Sequence, residues 1–241
     1  MNEIIKNLLK RKSIRSYTDQ EIPADCKEQI LRAAMEAPTA GNQQMYTILD
    51  ITSQELKNRL SVTCDHQPFI AKGKMVLIFC ADFQKWYQAF ALAGCTPRKP
   101  GPGDFLLAVE DAAIAAQNAV TAAESLGIGS CYIGDIMENY EIHRDLLHLP
   151  EFVFPALMLV FGYPTPQQQE REKPRRAPLD FIVHENVYPQ FSPEDIRRNI
   201  ADLKGEDFDQ WMQKFCKRKY QADFSLEMSR SVAAALKNFQ A

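Results

Sequence analysis

The sequence predicts an α+β fold in which a small mixed sheet, flanked by helices, packs around one long central helix. Three observations predict it. Met75 to Cys80 (Met-Val-Leu-Ile-Phe-Cys) and Ala156 to Phe161 (Ala-Leu-Met-Leu-Val-Phe) are continuous apolar runs, the pattern of central strands covered on both faces. Asp104 to Leu126 reads as a long helix whose Ala112, Ala113, Ala115, Ala116, Ala119, Ala122 and Ala123 keep several sides thin enough for other helices to approach. Helical and strand patterns otherwise alternate, and a helical tail follows the last strand.

Taken in order, Met1 to Arg11 carries Ile4, Ile5, Leu8 and Leu9 at helical spacing, and a basic knot, Lys10 to Arg15, follows. Thr18-Asp19-Gln20-Glu21 has the form of a capping signal, with Pro23 placed to start a helix over Ala24 to Glu36. In it Ile30, Ala33, Ala34 and Ala37 share a face, and Pro38 stops it, which leaves Pro38 to Gln44 as a loop. Tyr46 to Ile51 reads as a strand, and Thr52-Ser53-Gln54-Glu55 opens a short helix bearing Leu56, Leu60 and Val62. Trp86 to Gly103, with Pro97, Pro100 and Pro102, reads as a surface excursion. Beyond the second apolar run, Gly162 to Pro178 is a proline-rich connector. Ser192-Pro193 caps a further helix, and Asp223 caps a last one striped by Phe224, Met228, Val232 and Leu236. Two parts follow: a main domain over residues 1–190 and a C-terminal helical extension over 191–241.

Composition narrows the function. With 28 basic and 31 acidic residues the net charge is −3, and nothing global marks a nucleic-acid binder. Phe105 to Leu126 is the longest apolar stretch, but Glu110, Asp111, Gln117, Asn118 and Glu124 interrupt it, so no membrane span is expected. Six cysteines without a C-x-x-C pair read as reduced thiols in a cytoplasmic protein. The histidines at 66, 143, 148 and 184 lack metal-ligand spacing, and there is no G-x-S-x-G elbow, Walker loop or Rossmann fingerprint.

What remains are short segments able to hold an anionic ligand. Arg11-Lys12-Ser13-Ile14-Arg15 places cations and a hydroxyl where a helix ends, a pattern that suits a phosphate and equally a solvated basic face. Lys173-Pro174-Arg175-Arg176 repeats the theme inside the connector. Lys214, Lys217, Arg218 and Lys219 make a charged helix surface. Ala37 to Gln44 offers amide and hydroxyl donors around Gly41, and Gly127 to Asp135 has three glycines in eight residues, which lets a ligand lie against the main chain.

In this order, together with Gln67, Ala116-Gln117-Asn118, Ala122 to Gly127, Tyr132-Ile133-Gly134 and Val183-His184-Glu185-Asn186, these segments resemble the FMN-dependent nitroreductase and flavin reductase family, in particular its NADPH-type flavin oxidoreductase branch. The likeness runs over roughly residues 3 to 190. It implies a nitroreductase-like fold, an intertwined homodimer, and two FMN molecules at the subunit interface, with the C-terminal segment embracing the partner. It further implies that Arg11, Lys12 and Ser13, with Lys173 and Arg175, hold the FMN phosphate and ribityl chain, and that Arg15 sits by the flavin N1 and O2 edge. Gln67 would bond the pyrimidine side, Pro38, Thr39, Ala40 and Asn42 would come from the other subunit, and Tyr132, Ile133, Gly134 and Asp135 would face N5. Asp135 departs from the second glycine frequent in this branch. NADPH, or NADH, would be the electron donor, and nitroaromatics, quinones or free flavin the acceptors. Lys217, Arg218 and Lys219 are candidates to read the 2′-phosphate of NADPH.

Three other readings fit less of the chain. One is a flavin-binding redox sensor or store without turnover. A second is dehalogenation or flavin fragmentation on the same fold, with Trp86 to Gly103 as a substrate lid. The weakest is a nucleic-acid surface, because aromatic residues are not interleaved with the basic sets.

Overall fold

A computed structural model describes residues 1–201 and 207–240, so residues 202–206 and 241 of the expected extension lie outside the described residues. The chain forms two compact units, Met1–Arg171 with Glu227 onward, and Glu172–Leu226.

The first unit is built on a four-stranded sheet of order β1-β2-β4-β3: β1 Tyr46–Asp50, β2 Met75–Asp82, β3 Gly129–Ile133 and β4 Val153–Gly162. All four strands pair antiparallel, and the parallel component of the expected mixed sheet is confined to an isolated bridge between Ser13 and Ser130. The two continuous apolar runs occupy the two inner strands. Along β2, Met75, Leu77, Phe79 and Ala81 enter one core with the long helix, while Val76, Ile78 and Cys80 enter a second core with Cys131, Met158 and Val160. That two-residue alternation between two cores is why neither run shows a polar face.

β4 begins three residues earlier than Ala156, because Pro155 does not end it. Lacking an N–H, Pro155 is accommodated where the register with β2 shifts between Phe79 and Cys80.

The long helix α6 runs Pro102–Ser125, with α1 (Glu3–Lys10) and α2 (Ala24–Met35) packed on it. Pro102 opens it, and Asp104 accepts a hydrogen bond from the Gly101 N–H at 2.7 Å, so the start falls two residues before Asp104. Ala108, Ala112, Ala115, Ala116, Ala119 and Ala123 are buried as one stripe. It ends in a Schellman motif: the Gly127 N–H donates to Glu124 O at 3.1 Å and the Ile128 N–H to Ala123 O at 2.9 Å, with Gly127 at φ 74°.

Two local expectations change. Thr18 to Glu21 is not a cap: the Thr18 N–H donates to Tyr163 O at 2.8 Å, drawing this stretch to the end of β4, and Pro23 is the N-cap residue of α2 without a side-chain cap. The excursion after Trp86 is helical at first, as α5, Gln84–Leu92. Trp86 Nε1 donates to Gln43 O at 2.6 Å and Tyr87 meets Phe152 edge-on at 5.0 Å, which ties α5 to the core. Residues 93–101 remain irregular.

The unit is completed by α3 (Gln54–Thr63), α4 (Pro68–Ala71), α7 (Tyr140–Leu146) and α8 (Pro166–Glu170). The second unit contains α9 (Leu179–Ile182), α10 (Pro193–Ala201) and α11 (Phe208–Lys219). The last helix, α12 (Asp223–Leu236), starts in the second unit and from Glu227 belongs to the first. Among the described residues no helix is long and apolar enough to cross a membrane.

Candidate functional site

Beyond α1 the chain leaves the helix and runs along β3. The Ile14 N–H donates to Ser130 O at 2.9 Å, and the Ile14 side chain is buried so closely that a Cβ at position 129 would lie 2.6 Å from Ile14 Cγ1. Only glycine fits at 129. At the far end Tyr17 closes on Gly162 in the same way, where a Cβ would lie 2.7 Å from the ring. Its hydroxyl donates to Ile14 O at 2.8 Å, and burial pushes the phenol well above its ordinary pKa. Anchored at both ends, the segment presents its cations along one strand.

Arg11 lies with its guanidinium carbon 5.9 Å from the Tyr132 ring centroid, and its Nε is buried without a partner among the described residues. Lys12 Nζ donates to Gln169 O at 2.7 Å and to Arg171 O, leaving one of its three N–H groups for a ligand. Arg171 returns the contact by donating to Ser13 O at 2.5 Å. The Arg15 N–H donates to Gln168 Oε1 at 3.3 Å, and its exposed side chain lines a cleft of about 650 Å³ shared with Tyr17, Lys57, Phe69 and Lys72. None of Arg11, Lys12 and Arg15 is in an ion pair among the described residues. Burial pushes the Glu124 carboxyl up, while Arg11, Lys10 and Lys12 pull it down.

Gln67 is set at the start of α4 by two consecutive left-handed residues, Asp65 (φ 58°) and His66 (φ 51°). Such backbone costs about 1–3 kcal/mol per residue and persists where the surroundings hold it. Gln67 Nε2 donates to Cys64 O at 3.0 Å and to Asp135 Oδ2 at 2.9 Å. Asp135 opens a 3-10 turn, Asp135–Met137, directly after β3 and Gly134. Tyr132 points its hydroxyl to Gln117 Oε1 at 3.2 Å, and Ile133 is buried.

The loop carrying Pro38, Thr39, Ala40 and Asn42 is strained and pinned. Gly41, Asn42 and Gln44 have φ of 56°, 55° and 51°. Asp111 of α6, only 2% exposed, accepts from the Ala40 N–H at 2.9 Å and the Met45 N–H at 3.0 Å. Thr39 Oγ1 accepts from the Gln44 N–H at 3.2 Å. Among the described residues no hydrogen bond joins this loop to Arg15 or Gln67.

The structure therefore brings Arg11, Lys12, Ser13, Arg15 and Tyr132 to one edge of the sheet and joins Gln67 to Asp135. Lys173 and Arg175 follow Arg171 in sequence and belong to the second unit. Gln168, Gln169 and Arg171, absent from the sequence reading, clamp the basic segment; nothing in the proline-rich connector marks them except their nearness to Lys173. Burial pushes the Cys64 thiol well above its ordinary range and raises that of Cys131 as well. His143 is likewise a core residue, bonded to Ile136 O at 2.9 Å and Thr63 Oγ1 at 2.8 Å and made less basic by burial.

The sheet edge thus carries a cationic segment with a carboxylate-held amide beyond it, on a chain whose residues 8–163 match the Nitroreductase family. The chain belongs to that family. It is 32% identical over 238 residues to the NAD(P)H FMN reductase of Bacillus subtilis, covering 97% of this chain and 91% of that protein. It is 36% identical over 204 residues to the oxygen-insensitive NADPH nitroreductase of Salmonella typhimurium, covering 84% and 82% respectively. Among solved structures, the NfrA1 nitroreductase of B. subtilis superposes with a TM-score of 0.78 at 29% identity, over 94% of this chain and 98% of that one.

Proposed function

We propose that the protein is an FMN-dependent NAD(P)H oxidoreductase of the nitroreductase and flavin reductase type. The observation that carries this reading is the basic segment at residues 11–15, fastened to β3 with its cations in no ion pair among the described residues. Two buried polar atoms without a partner among the described residues, Arg11 Nε and Ser130 Oγ, belong to the two stretches joined there, and they suit a polar ligand. The relatives' names, FMN reductase and NADPH nitroreductase, agree with it.

FMN held there would supply two-electron redox chemistry between NAD(P)H and an acceptor that take the same pocket in turn. The protein's own part is binding, orientation and charge. Arg11, Lys12 and Ser13, with Lys173 and Arg175, hold the phosphate and ribityl chain. Arg15 keeps a positive charge by the N1 and O2 edge, where negative charge grows on reduction, and so favours the reduced side. Gln67 bonds the pyrimidine edge, and the backbone from Tyr132 to Asp135 faces N5. Nitroaromatics, quinones and free flavin are the acceptor class. The six free cysteines accord with work in the cytoplasm.

The site is completed in a homodimer, with Pro38, Thr39, Ala40 and Asn42 supplied by the second subunit and residues 191–241 packing on it. Supporting this, α1 buries none of its residues, and Ile4, Ile5 and Leu8 are each at least 45% exposed; Leu106, Leu107 and Ile114 of α6 are also exposed. Light scattering should therefore give twice the chain mass at micromolar concentration, and an FMN-loaded monomer would contradict this.

Lys217, Arg218 and Lys219 form the exposed last turn of α11, with Lys219 Nζ 5.0 Å from the Phe224 ring. Cations there also complement the helix dipole. If they read the 2′-phosphate, changing all three to Ala raises the KM for NADPH about ten- to a hundredfold and leaves NADH unchanged. Small parallel changes for both donors would assign the cluster to the helix surface alone. The reading as a whole is tested by flavin content: the purified protein should carry about one FMN per chain, released on denaturation.

A further inference from the structure

The cleft of about 650 Å³ that Arg15 lines is also walled by Thr18, by Lys57 of α3, and by α4 with the turn that follows it. Lys57 is only 8% exposed, and its Nζ donates to Gly73 O at 3.0 Å. Position 73 admits only glycine, since a Cβ there would lie 2.4 Å from Val160 Cγ1, and that close packing fixes the carbonyl holding the ammonium. The other two N–H groups of Lys57 have no acceptor and the residue is in no ion pair among the described residues. Burial pushes this lysine below its ordinary pKa; Lys27 and Lys74 act in the same direction, and Asp50 and Glu21 act against them. Thr18 adds a second unmet group, a buried Oγ1 with no hydrogen-bond partner among the described residues.

The charges along the walls do not cancel. Lys74 is paired with Glu21 at 2.7 Å, which leaves Arg15, Lys57 and Lys72 against the one remaining lining carboxylate, Asp19. A buried ammonium with spare donors and a buried hydroxyl without a partner are groups that a folded chain rarely leaves unmet, and an oxyanion satisfies both. The cleft is larger than an inorganic anion needs, and Pro68 and Phe69 give it an apolar wall, which together suit an anion carried on a flat ring. We propose that this cleft selects electron acceptors bearing a carboxylate on an aromatic ring, with Lys57 and Lys72 taking the carboxylate and Thr18 donating to it. The inference rests on the reading that Arg15 borders a flavin, which places the reducible end of the acceptor by Arg15 and its anionic end further along the cleft.

The test is equilibrium dialysis of the purified protein, without nicotinamide, against para-nitrobenzoate or its methyl ester, which share a ring and a nitro group and differ in charge. The wild type should bind the acid about tenfold more tightly than the ester. Lys57→Met and Lys72→Ala should each reduce that ratio about threefold or more. Lys72 is exposed, so its variant keeps the fold, and if Lys57→Met does not fold the Lys72→Ala ratio decides by itself. Equal binding of acid and ester by the wild type would overturn the proposal. So would a preference that survives the substitutions, since Arg15 alone would then account for it. Rapid mixing with NADPH separates the proposal from the reading beneath it: the bound acid should be reduced. A preference that the substitutions abolish, on a protein that reduces neither compound, would overturn the flavin reading and leave the oxyanion site without its acceptor role.

Discussion

Arg11→Ala is expected to weaken FMN binding about ten- to a hundredfold, the effect of losing a charged contact of roughly 1.5–3 kcal/mol, while the reduction rate of the flavin that remains bound changes little. Arg15→Ala should do the reverse, lowering the rate of reduction by NAD(P)H more than it lowers affinity. The contrast comes from position. Arg11 lies against Tyr132 with a buried Nε that has no partner among the described residues, and in the proposed reading it meets a phosphate whose charge is constant, whereas the exposed Arg15 side chain lines the large cleft and in that reading stands beside the edge where charge develops. Fluorescence titration and anaerobic stopped-flow separate the two quantities. Equal losses of affinity in both variants, with no difference in rate, would contradict the assignment.

Asp111→Ala carries the largest expected cost in stability. It strips the acceptor from two backbone N–H groups, those of Ala40 and Met45, in the interior of the first unit. At about 1–3 kcal/mol per stranded donor, urea unfolding should show a loss of about 3 kcal/mol, and Tm should fall by roughly 6–12 °C. The left-handed residues Gly41, Asn42 and Gln44 lose their anchor at the same time, so FMN retention should drop even at temperatures where the variant is folded. A variant as stable as wild type would mean that the loop is held by Trp86 and Thr39 without Asp111.

Sequence patterns carried the elements whose packing depends on one face or two. The inner strands β2 and β4 and the helix α6 were legible because burial on two faces, or close helix approach, leaves a continuous signal. Ends were less legible: Pro155 looks like a stop until its bulge is seen, and Trp86 lies in a proline-rich stretch whose first half is helical because of a ring contact and an indole bond. The basic segment at 11–15 was visible as residue types, but its fastening to Ser130, Gln169 and Arg171 spans well over a hundred residues of chain and leaves no local pattern. The bond between Gln67 and Asp135 joins positions 68 residues apart, and Asp111 reads in sequence as one more polar residue on a helix.

Anaerobic stopped-flow of the purified, FMN-loaded protein tests the central claim most directly. Mixing with NADPH or NADH should bleach the flavin absorbance in one fast step, and after removal of the nicotinamide a quinone should restore it, giving a two-stage cycle through one pocket. Flavin that stays oxidised with both donors at millimolar concentration would contradict the account and leave a flavin-binding sensor or store in its place.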